Sequence, residues 1–132
     1  MPFDWHEFFK LAGELAEDLC RESLGCSSRE AKLRSSISRA YYYSFCEVRN
    51  YLLERKKITF EMSQSHKDVI IFLLTSDDKK EWKIGQYLSE MRDIRNDADY
   101  DNIFNEYILG TKTCLINANK IKVNLNQIRN NR

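Results

Sequence analysis

Residues 28–55 read SREAKLRSSISRAYYYSFCEVRNYLLER, and this run decides the fold. It holds neither glycine nor proline, so nothing in it breaks a helix. Leu33, Ile37, Ala40, Tyr41, Ser44, Val48, Tyr51 and Leu52 recur at helical spacing and share one face. Tyr42, Phe45, Cys46 and Leu53 widen that face around the cylinder, leaving a narrow polar strip of Lys32, Ser36, Arg39, Tyr43, Glu47 and Asn50. A helix so broadly apolar needs neighbours on several sides, which puts it at the hub of a bundle. The capping box Ser27-x-x-Glu30 opens it, and its expected span is Ser28 to Arg55.

On the amino-terminal side Gly25 interrupts the pattern. Before it, Asp4 with Glu7 three residues on marks a helix start, and Trp5, Phe8, Ala12, Leu15 and Leu19 form one apolar stripe. That helix is expected from about Asp4 to Arg21. On the carboxyl-terminal side, Lys56 to Ser63 reads as a polar connection. Ser65-x-x-Asp68 then caps a short helix bearing Val69, Ile70, Phe72, Leu73 and Leu74, with His66 in its first turn. Asp78-x-x-Glu81 begins a fourth helix, where Ile84, Tyr87, Leu88, Met91, Ile94 and Ala98 keep the spacing through Gly85. A last helix follows Asp101, striped by Phe104, Tyr107, Ile108, Thr111, Cys114, Leu115, Ala118, Ile121, Leu125 and Ile128, and Asn130 to Arg132 are expected to fray. The expectation is all-α: one domain over residues 1–132, an antiparallel bundle of about five helices without repeats.

Composition agrees. The chain has 132 residues, 42% of them hydrophobic and 12% aromatic, enough apolar surface for one core. Four glycines and one proline are too few for a turn-rich sheet fold. With 21 Lys and Arg against 20 Asp and Glu, the net charge is +1, so any contact with a polyanion must be local. No basic stretch followed by an apolar run opens the chain, and no segment approaches the roughly 18 apolar residues of a membrane span, so a cytoplasmic protein with no membrane association is expected. Cys20, Cys26, Cys46 and Cys114 make no C-x-x-C pair and no Cys/His ligand set; buried thiols in a reducing compartment fit them, and the Cys20–Cys26 spacing, though bridgeable in principle, is of a common incidental kind.

One polar cluster stands out on these apolar helices. Arg95 follows Met91 by four and Leu88 by seven, so its guanidinium sits at the edge of a buried stripe and needs a partner. Asp99 lies four residues on, and Arg92, Arg95, Asn96 and Asp99 form a ridge. An internal salt bridge that sets how two helices meet and a fork that grips phosphate are both consistent with it. Arg39 stands where the apolar face of the central helix meets its polar strip. Of the three tyrosines beside it, Tyr41 is expected in the core, Tyr42 at its edge and Tyr43 exposed, where a base could stack. His66 is the natural general-base candidate, since imidazole alone titrates unperturbed near neutral pH; His6 beside Trp5 is weaker. No acidic residue occurs from Tyr107 to Arg132, whereas Lys112, Lys120, Lys122, Arg129 and Arg132 are basic. They complement a helix dipole or form an RNA-contacting face. No Gly-rich phosphate loop, HExxH or GxSxG pattern is present.

The run Ser36-Ile37-Ser38-Arg39-Ala40-Tyr41-Tyr42-Tyr43-Ser44-Phe45, then Ser65-His66-Lys67, then Arg92-Asp93-Ile94-Arg95-Asn96-Asp97-Ala98-Asp99-Tyr100-Asp101, resembles the HEPN family ("higher eukaryotes and prokaryotes nucleotide-binding" domains) over nearly the whole chain. The combination of SRAYY with R-x-x-A-D-Y-D carries the resemblance. It implies a helical bundle, often a homodimer, and a toxin or defence-system protein that binds and cuts RNA without a metal. In nuclease members an arginine followed some residues later by a histidine forms the active centre at a dimer cleft. Arg95 matches that arginine and Asn96 the polar residue after it, but Tyr100 stands where the histidine would fall. Members ending in A-D-Y-D often carry a histidine earlier, and His66 fits that position.

The resemblance thus implies Arg95, His66 and Asp99 as catalytic residues of a metal-independent endoribonuclease, with Arg39, Tyr43, Arg92, Asn96 and Tyr100 binding RNA or nucleotide and no cofactor. Arg95 would stabilise phosphate charge while His66 takes the proton of an attacking 2′-hydroxyl. The alternative is a non-catalytic nucleotide-binding or interaction module paired with a nucleotidyltransferase antitoxin, its polar cluster an internal clasp.

Overall fold

The breaker-free run forms one long helix, α2 (Arg29–Lys56), in a computed structural model that describes residues 3–17, 29–60 and 65–130. Around it stand α1 (His6–Leu15), α3 (Ser65–Leu74), α4 (Lys79–Tyr100) and α5 (Tyr107–Asn130), a single antiparallel bundle of five helices. The hub reading holds: α2 packs against α1, α4 and α5, while α3 packs on α4 and α4 also on α5. All eight residues of its predicted face are buried. Helix α1 ends at Leu15, with Ala16 as its cap, short of the expected Arg21; residues 18–21 of that span, the Ser27 and Ser28 cap, Cys20 and Cys26 lie outside the described residues, as do Ser63, Asn131 and Arg132. Cys46 and Cys114 are free and buried. Among the described residues no helix is long and apolar enough to cross a membrane.

The polar strip of α2 is not a solvated face. Ser36 is fully buried and Tyr43 is 3% exposed, because α1 lies along them. The Ser36 hydroxyl donates to the Ala12 carbonyl oxygen at 2.7 Å, and the Tyr43 ring meets Phe9 edge-on at 5.0 Å. Leu53, expected to extend the apolar face, is exposed instead. Asp4 does open α1, its carboxylate accepting from the His6 N–H at 3.0 Å.

Lys57 ends α2. Its φ of 56° is left-handed, and the Ile58 N–H reaches back to the Leu52 carbonyl oxygen at 3.2 Å, which turns the chain away from the helix axis. A lysine bears the Cβ strain that a glycine there would escape. Lys57→Gly is expected to raise stability by about 0.5–1 kcal/mol in a urea titration.

Asp78-x-x-Glu81 opens α4, but only Asp78 caps it, accepting from the Lys80 and Glu81 amides at 2.8 and 3.3 Å. Glu81 turns inward, 1% exposed, and accepts from the Tyr51 and Ser76 hydroxyls, both at 2.6 Å, with Lys56 Nζ 3.6 Å away. A buried carboxylate with these partners ties the first turn of α4 to the last turns of α2. One turn on, Gly85 lets α3 approach α4: a Cβ there would stand 2.8 Å from Leu73 Cβ and 3.2 Å from the Leu74 amide nitrogen. Gly85→Ala is expected to cost about 2 kcal/mol by pushing the two helices apart, despite the better helix propensity of alanine. Thermal unfolding would register it; an unchanged midpoint would mean that α3 shifts freely.

Candidate nucleic-acid interface

Side chains of α2, the first turn of α3 and the last turns of α4 meet along one edge of the bundle. On α2, Ser38, Tyr42, Phe45 and Arg49 follow one another at helical spacing and flank the core face. On α4, Arg95 sits on the predicted ridge with its guanidinium largely out of water, the side chain 11% exposed.

Three residues fix that guanidinium. Nη2 donates to the Tyr42 hydroxyl, Nη1 donates to Asn96 Oδ1 at 3.0 Å, and Nε lies 3.1 Å from Asp99 Oδ2. The last is an ion pair without a hydrogen bond, since the Nε–H does not point at the carboxylate. The other oxygen of Asp99 accepts from the Ser38 hydroxyl. Rings of Tyr41, Tyr42 and Tyr100 stand 5.4, 5.0 and 5.9 Å from the Arg95 guanidinium carbon, within cation–π range. Tyr41 is fully buried and Tyr42 half-buried, as expected, and Tyr100 is 72% exposed.

His66 enters from α3. It stacks on Phe45 with ring centroids 3.9 Å apart, and its Nδ1 is 2.7 Å from the Tyr41 hydroxyl. Burial, followed by the guanidiniums of Arg95, Arg92 and Arg49, pushes its pKa down from 6.5 to about 4. The imidazole is therefore neutral at pH 7. Burial drives the Tyr41 phenol far up against the pull of Arg92 and Arg95, so it stays protonated. Two neutral groups share this hydrogen bond; with the Tyr41 O–H donating to Nδ1, the imidazole proton sits on Nε2.

Tyr42 is the wall between two clefts. One, of about 270 Å³, is lined by Trp5, Phe45, Phe60, Arg49 and His66; the other, of about 470 Å³ and more open, by Arg34, Ser38, Arg39 and Asp99. Arg34 closes the carboxyl end of α4, Nη1 donating to the carbonyl oxygens of Ala98 and Asp101 at 3.0 and 2.7 Å.

Of the residues singled out from sequence, His66, Arg92, Arg95, Asn96, Asp99 and Tyr100 thus gather at this edge. Arg39 lies on the rim of the polar cleft, its guanidinium over Phe8 at 5.2 Å, apart from His66. Tyr43 belongs elsewhere. It faces α1 between Phe9 and His6, burial and Glu47 pushing its phenol up to about 12, so the exposed ring expected for base stacking is absent. Three basic side chains of α5 are engaged elsewhere: Arg129 lies 3.8 and 3.9 Å from Glu47 and Glu54, while Lys120 and Lys122 lie over Tyr87 and Phe9. Arg49 escaped the sequence reading, although it follows Phe45 by four and Tyr42 by seven, a spacing that could have marked it.

Chemically, the edge presents guanidinium donors and a neutral imidazole among aromatic rings, a setting for a planar or anionic ligand. Among the described residues no group of three His, Cys, Asp or Glu side chains is placed to hold a metal ion.

No family model matches this chain, and no solved structure matches it. It is similar to the uncharacterized protein MJ0628 of Methanocaldococcus jannaschii, 37% identical over 86 residues that cover 55% of this chain and 52% of that protein. The chain therefore spans about half the length of the curated relative it matches.

Proposed function

We propose that this chain is a HEPN-like RNA-binding protein whose Arg92 and Arg95 grip the phosphate backbone, with Asn96, Arg39 and Tyr100 around them. The observation that carries this reading is charge balance at the edge. Three guanidiniums, Arg95, Arg92 and Arg49, act on a single neutral imidazole, and Asp99 pairs with the first alone. Neither Arg49 nor Arg92 has an ion pair among the described residues. In a chain of net charge +1 this is a local positive field, and its complement is an anion. Ser38, Tyr41, Tyr42, Asp99 and Tyr100, from the motifs that carry the HEPN resemblance, all touch Arg95 or its carboxylate partner. With this reading go a toxin or defence role and a homodimer; its rival is a non-catalytic nucleotide-binding or interaction module paired with a nucleotidyltransferase antitoxin.

Binding is favoured over cleavage by the state of His66. A general base works best with a pKa near the operating pH, and one near 4 is a poor proton acceptor at pH 7. The test is fluorescence anisotropy of a short labelled single-stranded RNA in EDTA. With about three phosphates neutralised, affinity is expected to fall roughly 20-fold between about 50 and 200 mM salt. Absence of binding at the lower salt would remove the reading. RNA fragmentation that His66→Ala abolishes would turn it towards a nuclease.

A further inference from the structure

We infer that the apolar cleft on the Trp5 side of Tyr42 is a nucleobase subsite that prefers guanine, an assignment that rests on RNA binding at the Arg95 ridge. Its volume of about 270 Å³ is just under the roughly 300 Å³ at which pockets for drug-sized ligands begin, so it suits one flat ring system rather than a whole nucleotide. The half-buried rings of Trp5, Tyr42 and Phe60 form its walls, and Phe45 lies buried beneath, 3% exposed. Such a cleft offers π faces to a base of any identity. Tyr42 also accepts from Arg95, so the phosphate grip and the base cleft share a wall, and a strand held at Arg95 has its neighbouring base at the mouth of the cleft.

The polar end of the cleft supplies selectivity. Arg49 lies there with its guanidinium carbon 5.6 Å from the Phe45 ring centroid, a group with donors and no acceptor. Among the described residues its lining has no carboxylate and no side-chain amide. The adjacent N7 and O6 of guanine match the planar fork of an arginine.

Trp5 reports on the cleft, and Trp82 on α4, the other tryptophan of the chain, is removed by Trp82→Phe. In that background, two single-stranded oligouridines are compared, one with a central guanosine and one with a central adenosine. Anisotropy of the labelled RNA and Trp5 emission are read together. The guanosine strand is expected to bind about tenfold more tightly and to quench Trp5. Arg49→Lys, which keeps the charge but loses the fork, should bring the two strands to near-equal affinity. Equal binding without change in Trp5 emission, with Arg95→Ala still weakening both strands, overturns the base subsite and leaves RNA binding intact. Failure of both strands to bind at low salt brings down RNA binding and the subsite together.

Discussion

Arg95→Ala is expected to lower affinity for single-stranded RNA by roughly a hundredfold, about 3 kcal/mol, the scale of truncating one member of a desolvated, hydrogen-bonded charge contact. The size follows from pre-organisation. Tyr42, Asn96 and Asp99 already hold the guanidinium in a single orientation at 11% side-chain exposure, so a phosphate meets a fork that loses little further freedom on binding. Arg95→Lys should recover only part of the loss, since an ammonium restores the charge but cannot engage these partners and a phosphate in one plane. Folding is tested in parallel. Removing the guanidinium leaves the Tyr42 hydroxyl and Asn96 amide free to meet water, and a loss of about 1 kcal/mol in urea unfolding is expected. An internal clasp alone differs in the affinity: stability falls and RNA affinity stays put.

The boundary between what the sequence discloses and what it withholds runs along the distinction between local and long-range contacts. Periodicity places Leu33, Ile37, Ala40, Tyr41, Val48 and Leu52 on one face, and burial of that face is a property of the helix itself, whatever packs against it. Likewise, the Arg95–Asp99 pair is an i,i+4 contact and is legible from spacing. Tyr43 and Ser36 are not legible in this way. Their burial depends on where α1 lies, and a polar strip one helix wide reads as solvated until another helix covers it. Glu81 is a similar case: its acidic character at a helix start suggests a cap, and its contact with Tyr51, thirty residues away, shows it as a buried acceptor.

The cluster itself follows the same division. Its members were visible one helix at a time, but the Arg95–Tyr42 hydrogen bond joins positions 53 apart in sequence and the Tyr41–His66 contact joins positions 25 apart. No periodicity within one helix encodes either. The stack on Phe45 and the burial that lower the His66 pKa are likewise invisible in the sequence, where the imidazole reads by its unperturbed titration.

That setting has a measurable effect on folding. In the folded chain His66 titrates at about 4, against 6.5 when unfolded, so between these values the unfolded state binds a proton that the folded state refuses. Stability rises with pH across this window, and as pH falls from 6.5 to 4 the protein should lose about 3 kcal/mol through this residue alone. Carboxylates titrate in the lower part of the same range, so the comparison is with His66→Gln, whose amide can still accept from the Tyr41 hydroxyl but carries no proton to gain. The variant is expected to be less stable at pH 7, having lost the stack on Phe45, yet its stability should fall less steeply on acidification; the two curves converge by roughly that amount towards pH 4. Burial enforces the refusal first, then the guanidiniums of Arg95 and Arg92 from α4 and Arg49 from α2, and Tyr41 offers no negative charge to offset them. Parallel curves for the two proteins would mean that His66 charges freely in the folded state, which would require it to leave Phe45 and Tyr41 for solvent. An imidazole free to do that could serve as a proton acceptor at neutral pH, so the same titration that measures stability also decides whether this edge of the bundle has a working base.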